Sequence, residues 1–368
     1  MGNIIDYIRE YGEYSLLERP FGDVDSLALA QFAYLKLEGV IPPPAERPGG
    51  VTIGEIGRLE QKEEIFADLF FAQEQHALFE AMRMSRRFQT MRIVHCVNRI
   101  DLREQSQFSA VTLLLEDNSV YIAFRGTDET VVGWKEDFRM ACEAPVPSQE
   151  LARAYLDEAG ACCPGPLLVG GHSKGGNLAV FAAMFCREEV RRRIRRIYSL
   201  DGPGFLPRLR DEEAYRGIRE RIRKIVPHSS VVGMLLEDTG AYETVESSSF
   251  GLLQHNAFSW LIREGKFVKV KDVYQGTKTV LEVLNRFILS VPKAEREVLI
   301  DDLFGILEAA GKEKLTEISD HRKMALRCMG AAFWGMEREK RRDMLRAARM
   351  LLTAGRETMA EHRRRRRE

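Results

Sequence analysis

The sequence has no surplus of charge of either sign: 55 Lys and Arg stand against 55 Asp and Glu, for a formal net charge of zero. A chain so balanced carries no global electrostatic footprint for nucleic acid, and no nucleic-acid partner is expected. It also lacks any apolar run approaching the roughly 20 residues needed to cross a bilayer. The opening Met1-Gly-Asn-Ile-Ile-Asp6 has no basic-then-apolar leader and no Ser or Thr at position 6 for myristoylation. These absences set the expectation of a cytoplasmic protein. Cysteine is sparse, and Cys96, Cys142, Cys162, Cys163, Cys186 and Cys328 show no metal-ligand spacing. Free thiols and no metal site are therefore expected. What is present, 45% hydrophobic and 30% charged residues in 368, describes an ordinary globular chain with room for one large α/β domain and a smaller appendage.

The most informative stretch is Leu168-Val-Gly-Gly-His-Ser-Lys-Gly-Gly-Asn177. It reads as a short buried strand, a Gly-x-Ser-x-Gly turn, and then an apolar helix beginning near Leu178. Placed between strand and helix, that pattern is a nucleophile elbow. Small residues on both sides of Ser173 let strand and helix pass closely, while the serine is held in a strained conformation with its hydroxyl exposed. A turn serving only packing or phosphate binding is the bland alternative, but the Lys-Ser/Thr ending of a phosphate loop is missing.

A serine nucleophile needs oxyanion donors and a base. Val120-Tyr-Ile-Ala-Phe-Arg-Gly-Thr-Asp128 is a β-branched and aromatic strand that breaks at Gly126. Thr127 is the candidate donor from this strand end, and the N–H of Lys174, next after the nucleophile, is the second. A simple strand-ending turn is the other reading of Gly126–Asp128. In this fold order the base follows the serine, and four histidines do: His228, His255, His321 and His362. His362 sits in an arginine-rich tail, His321 in a charged helical region, and His228 early, after a strand. His255, on a polar loop flanked by large apolar residues, is the best candidate; a structural loop histidine is its alternative.

Ala123-Phe-Arg-Gly-Thr127 with Trp134 and Asp137, and Gly170-Gly-His-Ser-Lys-Gly-Gly176, resemble the corresponding motifs of class 3 lipases. Asp23-Val-Asp-Ser-Leu27, Asp201-Gly-Pro-Gly-Phe205, Ser230-Val-Val-Gly-Met234 and Gln254-His255 extend the resemblance to an uncharacterised bacterial branch of lipase-class-3-like hydrolases, over residues 20 to 262. The resemblance implies an α/β-hydrolase fold, a serine hydrolase mechanism and no cofactor. One departure matters. Where class 3 lipases carry the triad aspartate, this chain has Ser230, which can hydrogen-bond an imidazole but cannot offset the charge of an imidazolium. Asp201, after the strand Ile194–Leu200, is the leading substitute; a turn-initiating aspartate is the equal alternative. Glu237 and Asp238 come next.

The fold class expected is thus α/β, a mixed and mostly parallel sheet with helices on both faces, plus a helical C-terminal domain. Residues 1–90 read as a helical segment packed on the core or serving as a lid, its second helix opened by Asp25 as N-cap. Residues 91–266 read as the hydrolase core, with an antiparallel edge near Arg92–Asn98, Ser109–Leu115 and Val120–Phe124. Residues 267–368 keep helical periodicity; the stripe Met344, Leu345, Ala348, Leu351 and Leu352 is a candidate surface for the core or for a protein partner. The basic run Arg363–Arg367 is a candidate peripheral membrane contact, with a solvated tail as the commoner meaning. Two functions compete: a serine esterase or lipase acting on a carboxylic ester, with a lipid or lysolipid among the candidates, and an inactive hydrolase fold serving as a binding or regulatory module.

Overall fold

The computed structural model describes residues 1–42, 46–47, 49–59, 62–67, 69–101, 103–128, 131–140, 143–237, 241–308 and 322–365. Asp238, His321, Arg366 and Arg367 lie outside the described residues. The chain forms two compact units. One comprises Met1–Asp128 with Pro147–Val273, the other Glu129–Val146 with Tyr274–Glu368.

A nine-stranded sheet is the frame of the first unit. It contains β1 (Val51–Thr52), β2 (Arg92–Asp101), β3 (Ser106–Leu114), β4 (Val120–Phe124), β5 (Leu167–His172), β6 (Ile194–Leu200), β7 (Ile222–Pro227), β8 (Glu243–Val245) and β11 (Lys269–Val270), in the order β1-β2-β3-β4-β5-β6-β7-β8-β11. The short strands β9 (Ile262–Arg263) and β10 (Lys266–Phe267) pair with each other apart from it. Strands β1 to β4 pair antiparallel in sequence; short turns join β2 to β3 and β3 to β4, whereas a helical segment separates β1 from β2. From β4 to β8 every pairing is parallel, and helical crossovers such as Pro147–Cys162 and Lys174–Phe185 return the chain to the same edge. The carboxyl ends of β4 to β7 therefore open on one side, where an α/β sheet places its chemistry.

The segment 1–90 belongs to the core. Ile4, Ile8, Leu27, Phe32, Phe79 and Phe88 are buried in the same cluster as Val111 and Leu113 of β3, Tyr121 of β4 and Trp260. These side chains take the packing role. Asp25 is not the N-cap its position suggested: the helix Asp23–Phe32 is capped by Gly22, whose N–H donates to Asp25 Oδ2 at 2.8 Å. The carboxylate turns inward to Arg87, with the guanidinium at 2.6 and 2.7 Å and the Tyr7 hydroxyl donating at 2.9 Å. The pair is 0% and 1% exposed at the side chains. The remaining guanidinium hydrogens reach the carbonyls of Tyr14, Ser15, Arg19 and Pro20. Such a pair adds little over an apolar one, but breaking it strands a buried charge. Asp25→Ala is expected to destabilise the fold by about 3–5 kcal/mol, read as a lowered urea midpoint; a midpoint within error of the parent would contradict this account of the network.

The second unit is helical: Val131–Met140, Gln275–Ser290, Lys293–Glu308, Arg322–Gly335 and Arg338–Arg365. Val131–Met140 falls inside the 91–266 core range read from sequence, yet it packs here. Phe138 meets Phe304 edge-on at 5.5 Å, and Lys135 and Arg139 pair with Asp301 at 3.0 and 3.2 Å. At the other boundary, β11 pairs with β8, so residues up to Val273 stay with the first unit and not with the range 267–368. Of the apolar stripe read on the last helix, Leu345 and Leu352 are exposed. Among the described residues no helix is long and apolar enough to cross a membrane.

Candidate active site

Ser173 stands between the end of β5 and the helix Lys174–Phe185, at φ 59° and ψ −132°. A non-glycine residue with positive φ stores backbone strain, and it persists only where the surroundings over-determine it. Here they do. Its N–H donates to Leu200 O at 2.9 Å, and its carbonyl accepts from Gly176 N at 2.9 Å. A Cβ on Gly171 would lie 2.4 Å from the Gly175 carbonyl carbon, and one on Gly175 would lie 2.1 Å from Phe124 O. Strand and helix therefore cross at a distance only glycine allows at these two positions.

His255 closes a 3-10 turn, Gly251–His255. Gln254 anchors that turn: its side-chain Oε1 accepts from Ser229 N at 2.7 Å, and its side-chain Nε2 donates to Ser249 O at 2.9 Å and to His228 Nε2 at 3.1 Å. His228 thus supports the turn and does not face the serine. From the other side Trp260 Nε1 donates to the Gln254 carbonyl at 2.9 Å. So held, His255 has Nε2 2.9 Å from Ser173 Oγ and Nδ1 2.6 Å from Asp201 Oδ2. The carboxylate only accepts, which assigns the Nδ1 hydrogen and leaves Nε2 to accept from the serine hydroxyl.

Asp201 is fully buried and also has a positive φ, 52°. Its N–H donates to Ile225 O of β7 at 2.8 Å, fixing the residue just past β6. Oδ1 accepts a short hydrogen bond from the Ser230 hydroxyl, whose oxygen accepts from Gly233 N at 3.0 Å. A Cβ on Gly233 would lie 2.2 Å from Asp201 Oδ1, so only a bare backbone fits beside the carboxylate. Ser230 therefore stands next to Asp201 and donates to it. Glu237 is engaged elsewhere, with Lys224 Nζ at 2.7 Å.

On the side of the candidate oxyanion donors, a Cβ on Gly126 would lie 3.2 Å from Ser173 Cβ and 2.7 Å from His172 O, so the end of β4 abuts Ser173. Thr127 is buried directly after it. Gln107 braces this side, with its carbonyl accepting from Lys174 Nζ at 2.8 Å and its side-chain oxygen from the N–H of Asp128, next after Thr127, at 3.4 Å. Lys174 thus directs its ammonium away from the serine. As the first residue of its helix, its N–H lies outside the intrahelical ladder, at the positive end of the dipole.

His172, between Gly171 and Ser173, was not singled out by sequence reasoning. Burial, and then the facing His255, push its pKa from the ordinary 6.5 down to about 3. The unfolded chain therefore binds the proton more readily. Stability is full above about pH 6.5 and falls as the pH drops toward 3, at about 1.4 kcal/mol per pH unit for one group. Between pH 7 and pH 4.5 the parent is expected to lose about 3 kcal/mol more than His172→Gln, measured by urea denaturation; parallel losses would contradict a buried neutral ring. Among the described residues no group of three or more His, Cys, Asp or Glu is arranged to hold a metal ion.

Comparison with known proteins bears on this geometry. The Mbeg1-like family model matches residues 82–305, more than half of the chain. The chain belongs to the Mbeg1-like family. This is a lipase-class-3-like family, and the Mbeg1-like region spans Gly126, Ser173, Asp201, Ser230 and His255. No curated protein matches the sequence. Among solved structures, the Mbeg1-like chain is similar to a native Rhizomucor miehei lipase propeptide complex at 16% identity and a TM-score of 0.34, over 61% of this chain and 67% of that one. It is also similar to M37 lipase at 13% identity and a TM-score of 0.38, over 70% and 83%.

Proposed function

We propose that this Mbeg1-like protein is a serine hydrolase that cleaves a carboxylic ester through an acyl-enzyme on Ser173. The observation that carries the reading is the continuous chain Ser173 Oγ, His255 Nε2, His255 Nδ1, Asp201 Oδ2, at 2.9 and 2.6 Å. Ser173 attacks the ester carbonyl as His255 takes its proton, and Asp201 stabilises the resulting imidazolium. The oxyanion forms against the end of β4, where Thr127 lies, and the N–H of Lys174. Collapse passes the proton from His255 to the departing alcohol, and a water activated by the same base then frees the acid. Ser230, the residue that argued for an inactive fold, hydrogen-bonds Asp201, which favours the hydrolase reading over the binding-module one.

An acyl-bearing substrate, such as a lipid or lysolipid, is favoured by the turn that carries the base. Phe250, Leu252 and Leu253 are 85%, 66% and 72% exposed just ahead of His255, an apolar edge for an acyl chain to lie on. Purified protein is expected to release p-nitrophenol from p-nitrophenyl butyrate and fatty acid from lysophosphatidylcholine. Release no faster than that of the His255→Ala control, across short and long acyl esters, would overturn the assignment.

A further inference from the structure

His172 is a buried ring in the site to which the mechanism above gives no task. Its Nε2 lies 2.8 Å from the backbone oxygen of His255. A carbonyl only accepts, so the hydrogen is on Nε2, and Nδ1 is left as an acceptor facing the Tyr34 hydroxyl at 3.4 Å. The two imidazoles lie with centroids 4.7 Å apart and planes 32° apart, and Trp260 meets His172 edge-on at 6.2 Å. Trp260 also holds the Gln254 carbonyl. The two peptide carbonyls that precede and belong to the base are thus each fixed by a ring N–H from a buried aromatic side chain. His172 is covalently joined to Ser173. Through it the nucleophile's own strand grips the backbone of the base.

We propose that His172 is a positioning residue that sets the separation of His255 from Ser173, by donating Nε2–H to the His255 carbonyl with Tyr34 fixing the tautomer. This rests on the hydrolase reading above. A charged ring in that place would have repelled the imidazolium formed at His255; burial keeps His172 neutral at working pH, with its pKa near 3. The turn it holds has most of its apolar side chains in solvent and little packing of its own, so a lost carbonyl anchor frees the base to shift. A displacement on the scale of 1 Å costs about 100-fold in rate.

Gln and Asn separate this role from mere packing. Gln places an amide N–H where Nε2 stands, whereas Asn reproduces only the Nδ1 side of the ring. The test measures kcat and KM for p-nitrophenyl butyrate, the rate of fluorophosphonate labelling of Ser173, and the thermal midpoint, for the parent, His172→Gln, His172→Asn and Tyr34→Phe. Expected is a fall of about 100-fold in kcat for Asn at unchanged KM, with Gln retained within about 5-fold and Tyr34→Phe in between. Equal rates in all variants, or losses in Gln and Asn that follow their thermal midpoints alone, would overturn the positioning role while leaving the hydrolase reading standing. A folded parent protein that neither labels nor hydrolyses would overturn both.

Discussion

Ser173→Ala and His255→Ala are each expected to lower kcat for ester hydrolysis by about six orders of magnitude, and the double variant is expected to be no worse. The serine and the base act as one unit: without Nε2 at 2.9 Å the hydroxyl is a weak nucleophile, and without the hydroxyl the base has nothing to deprotonate. Neither change should unfold the protein. Alanine at position 173 bears the same positive φ as serine, and His255 ends a turn whose anchors, Gln254, Trp260 and His172, remain in place. Steady-state kinetics beside thermal denaturation checks both halves of the expectation. A single variant retaining activity within about 100-fold of the parent would contradict the assignment, since an oxyanion hole and binding alone leave only about 10³–10⁴ over water.

The second large effect concerns the acid. Asp201→Asn keeps the size of the side chain, but its single uncharged oxygen can face either Ser230 or His255 Nδ1, and in the first case an N–H points at Nδ1. The imidazole then adopts the wrong tautomer or forms an imidazolium without compensation, and kcat is expected to fall about 10⁴-fold. Glu237→Gln is the contrast. Its partner is Lys224, so it should cost stability and leave kcat within a few-fold of the parent. Similar losses of kcat in both variants would remove Asp201 from the acid's role.

How far the sequence discloses this site depends on the range of each interaction. The elbow is legible because its causes are local: glycines at 171 and 175 are demanded by contacts within the strand-turn-helix unit and by the adjoining end of β4. The antiparallel-to-parallel sheet is legible for a similar reason, since connection length dictates strand direction. Asp201 was only one of several open readings for the acid, because what favours it is distant in sequence. Ser230 and Asp201 are 29 residues apart, and they meet where the ends of β6 and β7 lie side by side. A motif compared position by position shows a missing aspartate at 230; it does not show that Ser230 hydrogen-bonds a carboxylate rooted on the neighbouring strand. Asp25 was misread for a related cause. An aspartate beside a helix start ordinarily caps it, but here Arg87, 62 residues on, claims the carboxylate while Gly22 takes the cap. The helix Val131–Met140 changed units because its apolar contacts come from Phe304, far along the chain. His172 went unnoticed since a histidine inside an elbow looks like a motif letter until its Nε2 is seen at the His255 carbonyl.

The central claim is an activated serine, and the most direct measurement is covalent capture. The purified protein, incubated with a fluorophosphonate probe and read by intact mass and peptide mapping, should carry a single adduct, on Ser173. The adduct should be absent from Ser173→Ala and strongly slowed in His255→Ala. A folded protein that takes up no probe, or one in which Ser173→Ala labels as readily as the parent, would contradict the account.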